Sequence, residues 1–287
     1  MSGAPVAPGG SPAPERREAA GPAGPVSFLV WAPEGEATPV ALAHPVNTQA
    51  AAWSDLAPLL TEGGRRPVYA VDYRGHGRSV QTGPFTARDY AADLLAVLRA
   101  SGVERAHVAG GSIGGAVGVQ LVDLAPGLAA SLTLVAAALR IGVGEEAFAE
   151  MERGVRELGV EDWFAAHGGG ILGRRSAPGV AERLVELAGG RDAEQVCTII
   201  EWTFVREDSR DLARALAAAG ALPPALVVGG EQDPTCPPAS QEEAAAILGA
   251  DLVILEGIGH LPMLECPAEL AGLVLPFLDR AESPGRA

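Results

Sequence analysis

The chain has 287 residues, 48% of them apolar, and a formal charge of −15 at neutral pH. That length and apolar content allow a sizeable core, while the acidity argues against nucleic acid and anionic membrane surfaces as partners. No apolar run reaches the roughly 18 residues a spanning helix needs, and no basic-then-apolar leader pattern opens the chain. The three cysteines, Cys197, Cys236 and Cys266, lack metal-ligand spacing and read as free thiols of a reducing cytoplasm. A cytoplasmic protein acting on a small molecule is expected, with no nucleic-acid or membrane partner; the sequence admits a homodimer.

Residues 1–24, rich in Pro, Gly and Ala without a periodic apolar face, predict a disordered tail, as do residues 282–287. Between them the chain alternates. Strands are predicted at Val26–Trp31, Pro39–Ala43, Pro67–Val71, Ala106–Ala109, Ser131–Ala136, Ala225–Val228 and Leu252–Leu255. Helices are predicted at Ala50–Leu60, Ala87–Ala100, Ile113–Leu124, Asp211–Ala219, Gln241–Leu248 and Pro267–Arg280. Short buried strands separated by amphipathic helices describe a mostly parallel sheet covered on both faces. Residues 140–208 contain helical patterns but no convincing strand, and predict a helical cap inserted into a core of residues 25–139 and 209–281.

The stretch "GGSIGG" matches G-x-S-x-G through Gly110, Ser112 and Gly114, between the strand "AHVA" and the helix "IGGAVGVQLVDLA". This is the context of a nucleophile elbow, a turn too sharp for side chains at its glycines. A serine needs a base. Of the five histidines, His260 directly follows the last predicted strand. His107 lies within a strand, His167 within the cap and His76 in a tight loop; His44 closes the strand "PVALAH". The base needs an orienting carboxylate. Asp233 lies just past a strand end in "GGEQDPTCPP", with Glu231 as its rival. The order Ser112, Asp233, His260 is that of one fold class. Oxyanion donors are expected from the N–H of Ile113 and, in "AHPVNTQAAAW", of Val46 or less favourably Asn47; Pro45 has no N–H to give. No phosphate-binding loop or dinucleotide fingerprint is present, so no cofactor and no metal is expected.

Carried by "AHPVNTQAAAW", "VDYRGHGRS", "GGSIGG", "GGEQDPTCPP" and "GIGHLPMLECP" in order, the chain resembles the α/β-hydrolase superfamily over roughly residues 26–281. It is most similar to the esterase and 3-oxoadipate enol-lactonase branch. The resemblance implies an α/β fold with a helical cap. It implies Ser112 as nucleophile, His260 as general base, Asp233 as its orienter, and Val46 and Ile113 as the oxyanion hole. Asp72, Arg74 and His76 then belong to a structural loop. Serine at the elbow argues against epoxide hydrolases and dehalogenases of this fold.

The expected reaction is cleavage of a small or medium, largely apolar ester or lactone through an acyl-enzyme. The alternatives are a biosynthetic cyclase or lyase, a C–C bond hydrolase, a thioesterase and a ligand-binding protein. Two departures stand out. His44-Pro45 replaces the family's His-Gly, and Gly111 stands where many relatives carry His or Asn, which implies spare room beside Ser112. Candidate substrate contacts are His44, Asn47, Gly111, Trp163, Trp202, Leu261 and Met263.

Overall fold

The computed structural model describes residues 13–282; the outer parts of both expected tails, residues 1–12 and 283–287, lie outside the described residues. Eight strands form one sheet: β1 (Glu15–Gly21), β2 (Gly24–Trp31), β3 (Val40–Ala43), β4 (Val68–Val71), β5 (Ala106–Gly111), β6 (Ala129–Val135), β7 (Ala225–Gly230) and β8 (Asp251–Leu255). Their spatial order is β1-β2-β4-β3-β5-β6-β7-β8. β2 runs antiparallel to both β1 and β4, and every other neighbouring pair is parallel.

The alternation of β3 shows why its four residues are all apolar. Ala41 and Ala43 join a core with α2 (Ala87–Ala100), α3 (Gly114–Leu124) and α9 (Pro238–Leu248), whereas Val40 and Leu42 face the segment Ala50–Leu60 and α11 (Pro267–Glu282). A strand buried on both faces has no polar side. α2 starts at a reciprocal capping box, the Thr86 hydroxyl accepting from the Asp89 N–H and the Asp89 carboxylate accepting from the Thr86 N–H. Among the described residues no helix is long and apolar enough to cross a membrane.

Two boundaries differ from expectation. The N-terminal tail does not extend through residue 24: "ERREAAG" is β1, a hairpin partner of β2 in register from Glu15↔Val30 to Gly21↔Gly24. Its charges suit an edge strand. Arg16 reaches inward to the Ser27 hydroxyl at 2.7 Å and the buried Asp72 carboxylate at 2.8 Å, a contact added to the hairpin pairing and to the burial of Ala19. At the other end Glu282, expected in a loose tail, closes α11 and accepts from Arg66 Nη1 at 2.6 Å while pairing with His107 Nε2 at 3.0 Å. The expected helix at Ala50–Leu60 is a 3₁₀ turn (Ala50–Trp53) and one short turn, α1 (Ala57–Leu60).

Between β6 and β7 the chain runs through α4 (Glu145–Leu158), α5 (Val160–His167), α6 (Val180–Ala188), α7 (Ala193–Ile200), a π-turn (Glu201–Arg206) and α8 (Arg210–Ala218). The apolar residues Val155, Val160, Phe164, Leu184 and Val196 of this helical insertion merge with the core on the α11 face. α10 (Pro262–Glu265) is a single turn before α11.

Candidate active site

Ser112 follows the last residue of β5 and precedes α3. Its φ is +54°, a left-handed conformation that costs a non-glycine residue about 1 kcal/mol. The turn admits no side chain at Gly110, where a Cβ would lie 2.2 Å from the Gly114 carbonyl oxygen. Ser112 is 1% exposed, and its Oγ has no hydrogen-bond partner.

Asp233 lies three residues past β7. Its Oδ1 accepts from the N–H groups of Thr235 at 2.8 Å and Cys236 at 2.9 Å, and its Oδ2 lies 2.9 Å from His260 Nδ1. With Oδ2 an acceptor, Nδ1 carries the proton and Nε2 is left with a free lone pair. Glu231 is exposed and points elsewhere, its Oε2 bound to the Gly257 N–H and to Arg174 of the insertion. Asp233, Cys236 and His260 have donor atoms within 4.8 Å of one another, a possible metal grouping. The geometry fits ion holding poorly, because both Asp233 oxygens are engaged. Burial, then the Asp233 charge, also keeps the Cys236 thiol protonated well above its usual range.

The turn after β3 is held from several sides. The Pro45 carbonyl accepts from His44 Nδ1 at 2.8 Å, from the Thr48 hydroxyl at 2.7 Å and from the Thr48 N–H at 3.2 Å. His44 Nε2 accepts from the Tyr73 N–H and His76 Nε2 from the Asn47 N–H, both at 3.2 Å. Asp72 Oδ1 accepts from the Ala50 N–H at 2.8 Å. Among the described residues, the N–H groups of Val46 and Ile113 make no intramolecular hydrogen bond.

His44 and His76 therefore each need one bare ring nitrogen facing a backbone N–H. Burial lowers the pKa of His44 to about 4 and that of His76 well below 6.5. Both folded values are depressed, so the stability they contribute is complete above pH 6.5 and is lost as pH falls towards 4. The melting temperature is expected to drop between pH 6.5 and 4.5, with His44 alone accounting for about 2 kcal/mol of lost stability. Calorimetric melts across that range check this; an unchanged melting temperature would contradict it.

A cavity of about 100 Å³ lies against Ser112 and His260. Val46, Asn47 and Leu261 line its core side; Met151, Trp163, Phe164 and Phe204 line its insertion side. Trp163 is packed edge-on to Phe164 and stacked on His167, an exposed residue at the cavity rim.

Four expected substrate contacts fall elsewhere. His44 is fully buried behind the turn. Trp202 lies under the Arg206 guanidinium, whose Cζ is 4.9 Å from the indole centroid. The π-turn changes the helical register there, so that Phe204 reaches the cavity. Gly111 and Met263 are not cavity-lining and meet each other instead. A Cβ on Gly111 would sit 2.8 Å from Met263 Cε and 2.9 Å from Pro45 Cγ, so the space beside Ser112 is filled rather than spare.

One residue of this region went unnoticed in the sequence. Glu265 is a buried carboxylate that accepts from the Gly259 and Leu261 N–H groups, on either side of His260. It also accepts from the Gly173 N–H at 2.7 Å and the Ser176 hydroxyl at 2.5 Å, both in the insertion. Its only sequence signal is an acid four residues past a flanking position of the histidine. Glu265→Gln would turn an amide NH₂ onto N–H donors and leave buried groups unpaired. A loss of about 3 kcal/mol is expected in urea unfolding; a loss under about 1 kcal/mol would show that the carboxylate is not needed there.

The sheet order, the strand-end serine and the Asp–His pair define an α/β hydrolase. The chain belongs to the alpha/beta hydrolase family, whose model matches residues 40–273. It is 38% identical over 108 residues to RutD of Azorhizobium caulinodans, named a candidate carbamate hydrolase. That match covers 37% of this chain and only 40% of the relative's length. Over 94% of this chain and 70% of the relative, it is 28% identical to the dihydrolipoyllysine-residue acetyltransferase component of the acetoin cleaving system of Pseudomonas putida. The fold is shared with an enol-lactonase from Burkholderia xenovorans LB400, with a TM-score of 0.78 and 24% identity, covering 92% of this chain and 100% of that one.

Proposed function

We propose that the protein is a serine hydrolase that cleaves small, largely apolar esters or lactones through an acyl-enzyme. The observation that carries this reading is the buried His260 Nδ1–Asp233 Oδ2 pair at 2.9 Å, sharing a cavity with the strained Ser112. His260 Nε2 takes the proton of Ser112 as Oγ attacks the carbonyl carbon. The N–H groups of Val46 and Ile113 receive the oxyanion, one such donor being worth ~3 kcal/mol. The imidazolium, stabilised by Asp233, gives its proton to the leaving oxygen. His260 then activates the water that releases the acid. Formation of the Ser112–His260 hydrogen bond is left to the substrate complex, where such bonds tighten.

The helical insertion serves as a cap, and its aromatic residues select the acyl group. A cavity of about 100 Å³ supports a short acyl chain, being smaller than the roughly 150 Å³ that accommodates benzene. The space beside Ser112 is taken by Met263 and Pro45 and adds no volume to this cavity. Carbamates present the same kind of carbonyl, and the relatives named for them place carbamates in the test panel.

A series of p-nitrophenyl esters from acetate to octanoate, with simple lactones and carbamates, tests the reading alongside a fluorophosphonate probe. Fastest turnover on short chains and labelling at Ser112 are expected. Failure to turn over any of these compounds, or labelling elsewhere, would overturn it.

A further inference from the structure

Asn47 directly follows Val46, lines the cavity and has φ +63°. Its N–H is held by His76, from the core. Its side chain is held from the insertion: Arg191 Nη1 donates to Asn47 Oδ1 at 2.8 Å, and Arg191 Nε donates to the Gly75 carbonyl at 3.2 Å. Arg191 lies between α6 and α7, the residue before the Asp192 that caps α7. Its Nη2 is buried with no partner, and among the described residues it forms no ion pair. A guanidinium set down without a carboxylate, with two bonds spent on the turn and its neighbour, is a poor device for stability alone. The insertion's other reaches to this turn are long, Gln49 Nε2 to the Leu187 carbonyl at 3.4 Å and Arg183 Nη2 to the Ala51 carbonyl at 3.5 Å. Every other strut of the turn comes from the core.

We infer that Arg191 is a positioning residue that holds Asn47 in its left-handed conformation from the insertion, so that the turn presenting the Val46 N–H is complete only when the insertion is seated. This rests on the serine-hydrolase reading, because it assigns the Val46 N–H to the oxyanion. Closure over a substrate then assembles the site as well as excluding water. Arg191, Asn47 and His76 thus link the insertion to the core through the turn that carries Val46.

The test combines Arg191→Met, the conservative Arg191→Lys and Asn47→Gly, since glycine takes a positive φ without support. With p-nitrophenyl acetate, Arg191→Met is expected to lower kcat about tenfold to a hundredfold, up to the size of losing one oxyanion donor, with KM changed less than about threefold. Arg191→Lys, which can make one of the two bonds, is expected to fall between. In the Asn47→Gly background the loss on adding Arg191→Met should shrink to about twofold, because glycine has no Oδ1 for Arg191 to hold and needs no support for its conformation. Hydrogen exchange of residues 44–52 should quicken in Arg191→Met and less so in Arg191→Lys. An unchanged kcat, a rise in KM alone, or equal losses in both backgrounds overturns the assignment. Exchange is read without any substrate. If the parent turns over no ester, the hydrolase reading fails on its own, while unchanged exchange at 44–52 overturns the role of Arg191 whatever the parent hydrolyses. If Arg191→Met does not fold, Arg191→Lys carries both comparisons.

Discussion

Ser112→Ala is expected to reduce ester turnover by about 10⁴-fold or more, the scale at which a nucleophile is lost from a triad acting as a unit. What remains is the rate supplied by the oxyanion donors and substrate binding. The same substitution should not weaken the fold. Ser112 Oγ is buried without a partner, and removing an unsatisfied hydroxyl is neutral or stabilising by about 1 kcal/mol. Ser112→Gly removes the backbone strain as well, since glycine takes φ +54° freely, and should melt higher still. Activity and stability are thus expected to move in opposite directions at one residue, the behaviour of a strained functional position. Turnover of p-nitrophenyl acetate, fluorophosphonate labelling and thermal melts on the three proteins measure all of this. Retention of turnover by Ser112→Ala would remove Ser112 from the mechanism.

Asp233→Asn is expected to lower kcat about 10³- to 10⁴-fold while leaving the fold intact, and the reason is geometric. Asp233 Oδ1 accepts from two backbone N–H groups, Thr235 and Cys236. In the asparagine variant the amide oxygen must stay there, which turns the NH₂ towards His260 Nδ1. That nitrogen must then accept, so the proton moves to Nε2 and the ring can no longer take one from Ser112. A loss of about 10⁴ accompanies the corresponding change in a serine protease triad. The tautomer is observable by nitrogen NMR of labelled histidine, independently of turnover. A kcat within tenfold of the parent, or Nδ1 still protonated, would show that Asp233 does not set the tautomer.

Much of the architecture was legible because its signals are local. Short apolar strands with turn chemistry at their ends announce a parallel sheet, and the glycines around Ser112 announce a sharp turn whatever lies beyond. β1 was not legible, because "ERREAAG" has the composition of a solvated segment, and its pairing with β2 and the reach of Arg16 to Asp72 appear only in the folded chain. Trp202 was misplaced because nothing in a cap segment of helical pattern marks which aromatic faces the cavity, and the π-turn at Glu201–Arg206 presents Phe204 instead. His44 ends a strand, as a site residue should, yet both its ring nitrogens serve the backbone. Glu265 has only its spacing from Leu261 to mark it and Arg191 has nothing: each is one charged residue among many until the fold brings N–H donors, or Asn47, against it.

The contact of Gly111 with Pro45 and Met263 bears on how such a site changes over generations. The two departures from the family pattern, proline after His44 and glycine before Ser112, are one packing solution, since the ring of the first occupies the place of a side chain on the second. A larger residue at 111 collides with Pro45 and Met263; glycine at 45 with Gly111 retained leaves a hole beside Ser112. Substitutions at the two positions are therefore coupled, and their effects on stability are expected not to add.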